Sequence, residues 1–251
     1  MVPTRAGHDV LGGMLQVLAQ IGAVPRCAVW DQEGCIGAWR RGRQVLTREF
    51  QAFRGTLGIK VVMCRPGDPE AKGLVERTHR YLETSFLPGR RFTSPEDFNA
   101  QLASWLDRAN ARVHRRIDCR PTERIEADRQ AMLALPPVAP TTGWHLAQRL
   151  PRDHYVRVAS NDYSVYPAAV GRRVEVAADL ERVRVTCEGR VVADHPRCWA
   201  RHQSLTGPEH ARAADALRRE RSLVRPPAEV DVERRVLTDY DRALGLDEGV
   251  A

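Results

Sequence analysis

The apolar positions at the start of the chain repeat first with the period of a helix and then as a short continuous run. The helical repeat covers residues 9–22 and consists of Leu11, Met14, Leu15, Leu18 and Ile21. Asp9 can cap this helix at its N-terminus, and Gly22 can end it. The apolar run over residues 26–30 predicts a buried strand that ends at Asp31.

The same order of elements is predicted a second time after a loop. The loop contains the basic cluster Arg40-Arg41-Gly42-Arg43. Residues 47–57 predict a helix capped by Thr47, with Phe50, Phe53 and Leu57 on its apolar face, and residues 59–64 predict a second strand. Two consecutive helix-then-strand units favour an α/β fold with a parallel pair of strands.

Helices and loops are predicted from residue 65 to residue 150. The prolines and glycine of residues 65–70 predict a loop, and helices are predicted over residues 71–86, 94–113 and 121–133. Pro136, Pro137 and Pro140 lie in a segment, residues 135–150, that is typical of a linker between domains.

Beyond residue 150 the apolar positions alternate with polar ones, which is the pattern of half-buried strands. Five short strands are predicted at residues 155–159, 163–166, 173–176, 183–187 and 190–193. Their number and spacing favour a small antiparallel β-barrel. Two charged, amphipathic helices are predicted in a tail, over residues 208–222 and 230–244.

The charge of the chain is uneven. The 251 residues carry a net charge of +7 and 43% apolar side chains, which fits a globular protein. Residues 1–150 hold all of that net charge, and residues 151–251 balance to zero. A basic region of this kind indicates a phosphate-rich partner, although the preference for Arg over Lys can also reflect the nucleotide composition of the gene.

Other features of the sequence exclude several classes of protein. The chain has no apolar run long enough to span a membrane and no signal peptide, so a cytoplasmic protein with no membrane partner is expected. Its six cysteines include no Cys-x-x-Cys pair, so reduced thiols are expected rather than a zinc or redox motif.

Two acidic residues hold positions suited to metal chemistry. Asp31 follows the first predicted strand, and Glu76 lies in the helix after the Pro/Gly loop. Because sites in α/β sheets gather at the carboxyl ends of strands, the two carboxylates can converge on a Mg²⁺ ion. Lys72 and Arg80 lie one turn on either side of Glu76, so a solvated helix face with ordinary i,i+4 ion pairs is the alternative.

Several segments resemble a known family. The run from Cys64 to Arg77, with Lys-Gly-x-x-Glu at 72–76, resembles the catalytic Glu segment of retroviral-integrase-like transposases, and Trp30-Asp31-Gln32 resembles the segment of their second catalytic Asp. Residues 110–115 and 120–124 resemble the region that follows this core. Residues 163–165, 171–176 and 195–197 resemble the β-barrel beyond it. Together, over roughly residues 10–210, they resemble bacterial insertion-sequence transposases of the IstA type.

The resemblance implies a ribonuclease-H-like core that binds two Mg²⁺ or Mn²⁺ ions through an Asp-Asp-Glu triad and joins DNA 3′-hydroxyl ends to target DNA. It implies that Asp31 and Glu76 are the catalytic metal ligands and that Lys72 approaches DNA phosphates. Arg40, Arg41, Arg43 and Arg80 are further candidates for binding DNA, either element ends or target, and Trp39 is a candidate for stacking on bases. The family also implies an ATPase helper protein as a partner.

The chain departs from the family pattern at the first catalytic Asp. Asp9 is the only acidic residue before Asp31, and its expected role is to cap a helix. The sequence is therefore interpreted as an N-terminally truncated transposase with an incomplete triad. Strand 27–30 would then have an unpaired edge, from which weak stability or self-association is expected.

The expected architecture is a partial ribonuclease-H-like integrase core with its following helices (1–134), a linker (135–150), a small antiparallel β-barrel like that of the Mu transposase C-terminal region (151–204) and a helical tail (205–251). Three functions remain open: a metal-dependent DNA strand transferase that is active if another chain supplies the missing Asp; a catalytically silent fragment that binds DNA or full-length transposase; and a ribonuclease-H-like nuclease.

Overall fold

The computed structural model describes residues 1–31, 33–65, 73–224 and 237–244. The chain divides into two compact units, Met1–His210 and Ala211–Ala251. Among the described residues, no helix combines the length and the apolar character that crossing a membrane requires.

The first 135 residues follow the predicted alternation of helices and strands. Their elements, in chain order, are α1 (Gly7–Ile21), β1 (Cys27–Trp30), β2 (Gly37–Arg40), β3 (Arg43–Leu46), α2 (Arg48–Leu57), β4 (Lys60–Met63), α3 (Gly73–Ser85), α4 (Pro95–Asn110) and α5 (Pro121–Ala131). The Pro/Gly loop of residues 66–70 lies outside the described residues, as do Gln32 and Lys72.

The parallel pair of strands is confirmed, but its burial is not. β1 and β4 pair in parallel with Trp30 opposite Met63. One face of the pair packs on a core made by α1, α2 and the residues that flank the strands: Leu11, Leu18, Val24, Ile36, Phe50, Phe53, Leu57 and Ile59. On the other face Val29 and Val62, which are opposite each other, are 63% and 51% exposed. The prediction of a buried first strand is therefore wrong, because the described elements cover only one side of it.

Helix α2 is confirmed in detail. The Thr47 hydroxyl accepts a hydrogen bond from the Phe50 amide, and Gly58 ends the helix with a φ of 69°. Phe50, Phe53 and Leu57 are buried, as their spacing predicts. The cap and the apolar face are both local properties of the sequence, which is why they could be predicted.

The predicted capping role of Asp9 is wrong. Ala6 is the N-cap of α1, and Asp9 lies within the first turn of that helix, only 1% exposed. Its carboxylate accepts two hydrogen bonds from the Arg197 guanidinium, at 2.6 and 3.0 Å, and one from the Thr4 hydroxyl at 2.5 Å. Arg197 also donates to the carbonyl oxygen of Asp179. Asp9 therefore forms a buried ion pair that joins α1 to the strand-rich part of the chain.

Helices α3 and α4 contact each other through aromatic side chains. Ser94 caps α4 by accepting a hydrogen bond from the Asp97 amide. The ring centroid of Tyr81 on α3 lies 5.2 Å from that of Trp105 on α4, and the ring of the buried Phe86, directly after α3, lies 5.5 Å from it. Leu106 on α4 is 39% exposed.

The alternating segments form strands, as predicted, but not a closed barrel. Their bounds are β5 (Trp144–Arg149), β6 (Tyr155–Val158), β7 (Asn161–Ser164), β8 (Arg173–Ala178), β9 (Arg182–Cys187), β10 (Arg190–Pro196) and β11 (Ser204–Leu205). They make a four-stranded antiparallel sheet in the order β10-β9-β8-β5 and a three-stranded sheet in the order β11-β7-β6. The barrel prediction is wrong because the strand pairing ends at the edges of two separate sheets.

Strand β5 lies inside the segment that was predicted to be a linker. Its register runs from Trp144 opposite Ala178 to Arg149 opposite Arg173, so the strand is a full member of the four-stranded sheet. The core of these sheets is mainly valine, together with Leu150 and Tyr163.

The tail contains the two predicted helices, in part. α6 runs from Pro208 to Val224, and α7 runs from Leu237 to Ala243. The rest of the second predicted tail helix lies outside the described residues. All six cysteines are free thiols, in agreement with the sequence prediction.

Removing the Asp9 carboxylate should destabilise the fold more than removing an exposed one. Replacing Asp9 by Ala leaves the Arg197 charge buried without its partner, and we expect the free energy of unfolding to fall by about 3–5 kcal/mol. The matched control is Glu126→Ala, which breaks an exposed pair with Arg129 at 3.3 Å and should cost less than about 1 kcal/mol. Chemical denaturation followed by circular dichroism measures both free energies of unfolding. Equal losses would show that the buried pair contributes no more to stability than an exposed one.

The open edge of β1 should be visible in amide hydrogen exchange. Lys60 donates to the carbonyl oxygen of Arg26, and Cys64 donates to that of Trp30, so in this ladder the amides of Cys27 and Val29 point away from β4. We expect these two amides to exchange faster than those of Ala28 and Trp30. Strong protection of Cys27 and Val29 in a monomeric sample, measured by NMR, would contradict an open edge.

Candidate functional site

The carboxyl ends of β1 and β4 lie side by side and define the candidate site. Trp30 is opposite Met63, and the Cys64 amide donates a hydrogen bond of 2.7 Å to the Trp30 carbonyl oxygen. Asp31 follows directly and is exposed. The structure therefore places Asp31 where the sequence predicted it, at the carboxyl edge of a parallel pair.

Glu76 lies in the first turn of α3, the helix that follows β4 in the chain. Its side chain is exposed, and so is that of Arg80 one turn later. Lys72, the third residue predicted on this face, lies outside the described residues. Asp31 thus directly follows β1, and Glu76 lies on the helix that comes next after β4 in the chain.

The donor set fits a hard divalent cation, because both predicted ligands are exposed carboxylates. In the part of the chain that the structure describes, no group of three or more His, Cys, Asp and Glu residues could hold a metal ion. Asp9 adds no ligand, since both of its carboxylate oxygens are bonded to Arg197 in the interior.

The basic cluster is a β-hairpin rather than the predicted loop. β2 and β3 pair in antiparallel register with Arg40 opposite Arg43, and the two residues between them, Arg41 and Gly42, have φ values of 49° and 74°. Positive φ at both central positions is characteristic of the tight turn whose twist matches that of paired strands. At Gly37, opposite Leu46, a Cβ would lie 2.4 Å from the Val45 carbonyl oxygen, so the hairpin requires glycine there.

The turn of this hairpin presents three exposed arginines, namely Arg40, Arg41 and Arg43. Their guanidinium groups are charged at any physiological pH and suit phosphate oxygens. The structure thus keeps these predicted DNA-binding residues together at one tip, which a tight turn holds in place.

The face of the hairpin that carries Trp39 and Gln44 is bonded to the edge of β4. Gln44 accepts a hydrogen bond of 3.2 Å from the Met63 amide, and its side-chain nitrogen lies 3.5 Å from the Val61 carbonyl oxygen. The Trp39 ring nitrogen donates a hydrogen bond of 2.9 Å to the Cys64 carbonyl oxygen. These side chains cover β4 where a further strand would otherwise pair.

Sequence reasoning missed Gln44 and gave Trp39 a different role. Trp39 was considered as a platform for bases, whereas its ring nitrogen is bonded inside the protein and the Arg65 guanidinium lies 6.0 Å from its ring centroid. The signal that could have revealed this role is the two-residue turn Arg41-Gly42. A hairpin with this turn places Trp39 and Gln44 opposite each other on one face.

Two protein families match parts of this chain. The family described as an integrase core domain matches residues 57–120, which include Glu76 and Lys72. The family described as the Mu transposase C-terminal domain matches residues 135–207, which contain strands β5 to β11.

The chain is also similar to transposases of bacterial insertion sequences. It is 30% identical over 192 residues to the transposase for insertion sequence element IS21 from Pseudomonas aeruginosa, a match that covers 75% of this chain and 49% of that protein. It is 27% identical over 204 residues to the transposase for an IS21-like element from Bacteroides fragilis, covering 76% of this chain and 38% of the relative. The chain therefore spans half or less of the length of these curated relatives.

Proposed function

Because the chain carries an integrase core segment and a Mu transposase C-terminal domain and is homologous to IS21 transposases, we propose that it acts on DNA in transposition. The observation that supports this proposal is that Asp31 directly follows β1 at the carboxyl edge of a parallel pair, while the hairpin that carries the arginines is bonded to β4 and Cys64 through Gln44 and Trp39. A metal ligand and phosphate-binding groups in this part of the chain suit cleavage and joining of a DNA backbone.

In this proposal Asp31 and Glu76 would hold a divalent cation, Mg²⁺ or Mn²⁺. When bound there, the cation would supply polarisation of the scissile phosphate and activation of the attacking oxygen. The chain itself contributes the two carboxylates. β1 fixes the backbone at Asp31 through the bond between Cys64 and Trp30, while the first turn of α3 presents Glu76.

The DNA backbone would lie along the hairpin. Arg40, Arg41 and Arg43 are exposed at one turn, and Arg80 is exposed one helical turn beyond Glu76. Phosphates neutralised by these guanidiniums would be held on the side of the molecule that carries the metal ligands. We place Lys72 in the same role, on the resemblance of its Lys-Gly-x-x-Glu motif alone.

A second function, DNA binding without catalysis, is favoured by one observation. Asp9 precedes Asp31 in the chain, but its carboxylate is buried against Arg197 and adds no third ligand. Asp31 and Glu76 by themselves would hold a pair of ions poorly. DNA would still bind through the hairpin arginines. A helper ATPase and a second copy of the chain remain proposals as partners.

Metal binding and DNA cleavage should depend on both carboxylates. We expect Asp31→Asn and Glu76→Gln each to weaken Mn²⁺ binding at least roughly tenfold, because a charged oxygen ligand becomes a neutral one. Calorimetry with Mn²⁺ measures this, and Glu83→Gln, an exposed acid later on the same helix, is the matched control. Mn²⁺ binding that neither substitution changes would exclude this site.

The reaction itself distinguishes the three functions. Metal-dependent nicking of plasmid DNA that Glu76→Gln abolishes supports an enzyme, and joining of a labelled 3′-hydroxyl end to the plasmid separates strand transfer from simple hydrolysis. Salt-sensitive binding without nicking supports the binding module instead.

The hairpin should account for much of the salt dependence of DNA binding. Replacing Arg40, Arg41 and Arg43 together by Gln should lower the slope of log affinity against log salt by about 0.9 for each phosphate that the variant no longer neutralises. Fluorescence anisotropy with a labelled duplex measures the slope. A variant with the same charge change on α6, at Arg218, Arg219 and Arg221, should change it less; equal effects would mean that only net charge matters.

A further inference from the structure

We infer that Arg65 is an additional contact to the DNA phosphate backbone and that Trp39 is the residue that positions it. Neither residue was singled out for this role by the sequence motifs. The inference deepens the proposed function and rests on it, because it assigns two more residues to the same DNA-binding site.

Trp39 engages the segment after β4 at two points. Its ring nitrogen donates a hydrogen bond of 2.9 Å to the carbonyl oxygen of Cys64. The guanidinium carbon of the next residue, Arg65, lies 6.0 Å from the centroid of the Trp39 ring. This distance is at the outer limit of a cation–π contact, so the ring restricts where the guanidinium lies without neutralising its charge.

The backbone that carries Arg65 is fixed from both sides. The Cys64 amide donates to the Trp30 carbonyl oxygen at 2.7 Å, and the Cys64 carbonyl accepts from Trp39. Gln44 holds the Met63 amide in the same way. Cys64 is buried, while Arg65 is exposed. Arg65 is therefore the first exposed residue after β4, directly beside the strand end that continues into Asp31.

The charge of Arg65 is available to a ligand. Within the residues that the structure describes, no carboxylate forms an ion pair with it, unlike Arg157, which pairs with Asp162 at 2.7 Å, and Arg182, which pairs with Asp194 at 2.8 Å. An exposed guanidinium beside a predicted metal ligand, two residues beyond the strand that the arginine hairpin covers, suits a phosphate oxygen. The bond from the Trp39 ring nitrogen and the guanidinium beside its ring argue against Trp39 itself as a platform for bases.

The test is a double-mutant cycle on DNA binding by the whole chain, measured by anisotropy of a fluorescein-labelled duplex over a range of salt concentrations. Arg65→Gln should lower the salt slope by about 0.9 and weaken binding roughly threefold. Trp39→Leu, which removes both the ring and the donor, should cause the same loss. In the Arg65→Gln background Trp39→Leu should cause no further loss, because it acts through Arg65.

Two further variants keep the inference falsifiable. Trp39→Phe retains a ring beneath Arg65 and should keep most of the slope of log affinity against log salt. A general loss of hairpin structure would instead lower this slope. Arg41→Gln, at the turn, should add its effect to that of Trp39→Leu, since it binds a different phosphate. Circular dichroism identifies any variant that fails to fold, and Arg65→Gln leaves the hairpin bonds intact.

Each outcome decides a separate point. An unchanged salt slope in Arg65→Gln, with a reduced slope in Arg41→Gln, overturns the Arg65 contact while the proposed function stands. Losses from Arg65→Gln and Trp39→Leu that simply add overturn the positioning role of Trp39. If the unmodified chain shows no salt-dependent DNA binding, the proposed function fails and this inference fails with it.

Discussion

The parallel pairing of β1 with β4 is the constraint on which the candidate site depends. It brings the carboxyl ends of two strands, separated by a hairpin and a helix in the chain, to one edge, where Asp31 and Cys64 leave the sheet. A pair of strands this short is a weak element by itself, and its outer face exposes Val29 and Val62. Its stability therefore depends on the core beneath it and on the hairpin side chains that cover the edge of β4.

The buried Asp9–Arg197 pair connects elements that are distant in sequence. Its two partners are 188 residues apart in sequence, and their hydrogen bonds connect the first helix with the loop after β10. Burying two charges gains little net free energy, but breaking the pair costs a great deal, so the interaction selects one arrangement of these elements. It also settles the role of Asp9, because a carboxylate whose two oxygens are held in the interior by an arginine is not available to a metal ion.

Local sequence signals predicted the parts of the fold that depend on local physics. Thr47 caps its helix, and the alternating segments beyond residue 150 form strands, because caps and periodicity act over a few residues. Three features could not be predicted in this way: the open sheets instead of a barrel, the exposure of Val29, and the partner of Asp9. Each depends on which distant element covers a surface. At the site, Asp31 was predicted from the strand end, whereas Gln44 and Arg65 acquire their roles only through the hairpin's contact with β4.

The uneven charge of the sequence can be related to which arginines form ion pairs in the structure. In the strand-rich part, some arginines face carboxylates. Arg157 holds the pKa of Asp162 below its ordinary value, and Arg182 does the same to Asp194, through hydrogen bonds in both cases. These charges cancel locally and contribute little to a long-range field. The hairpin arginines and Arg65 form no ion pair within the described residues, so their positive potential extends into solvent. Arg40, Arg41, Arg43 and Arg65 are thus among the residues that give the first 150 residues their excess positive charge.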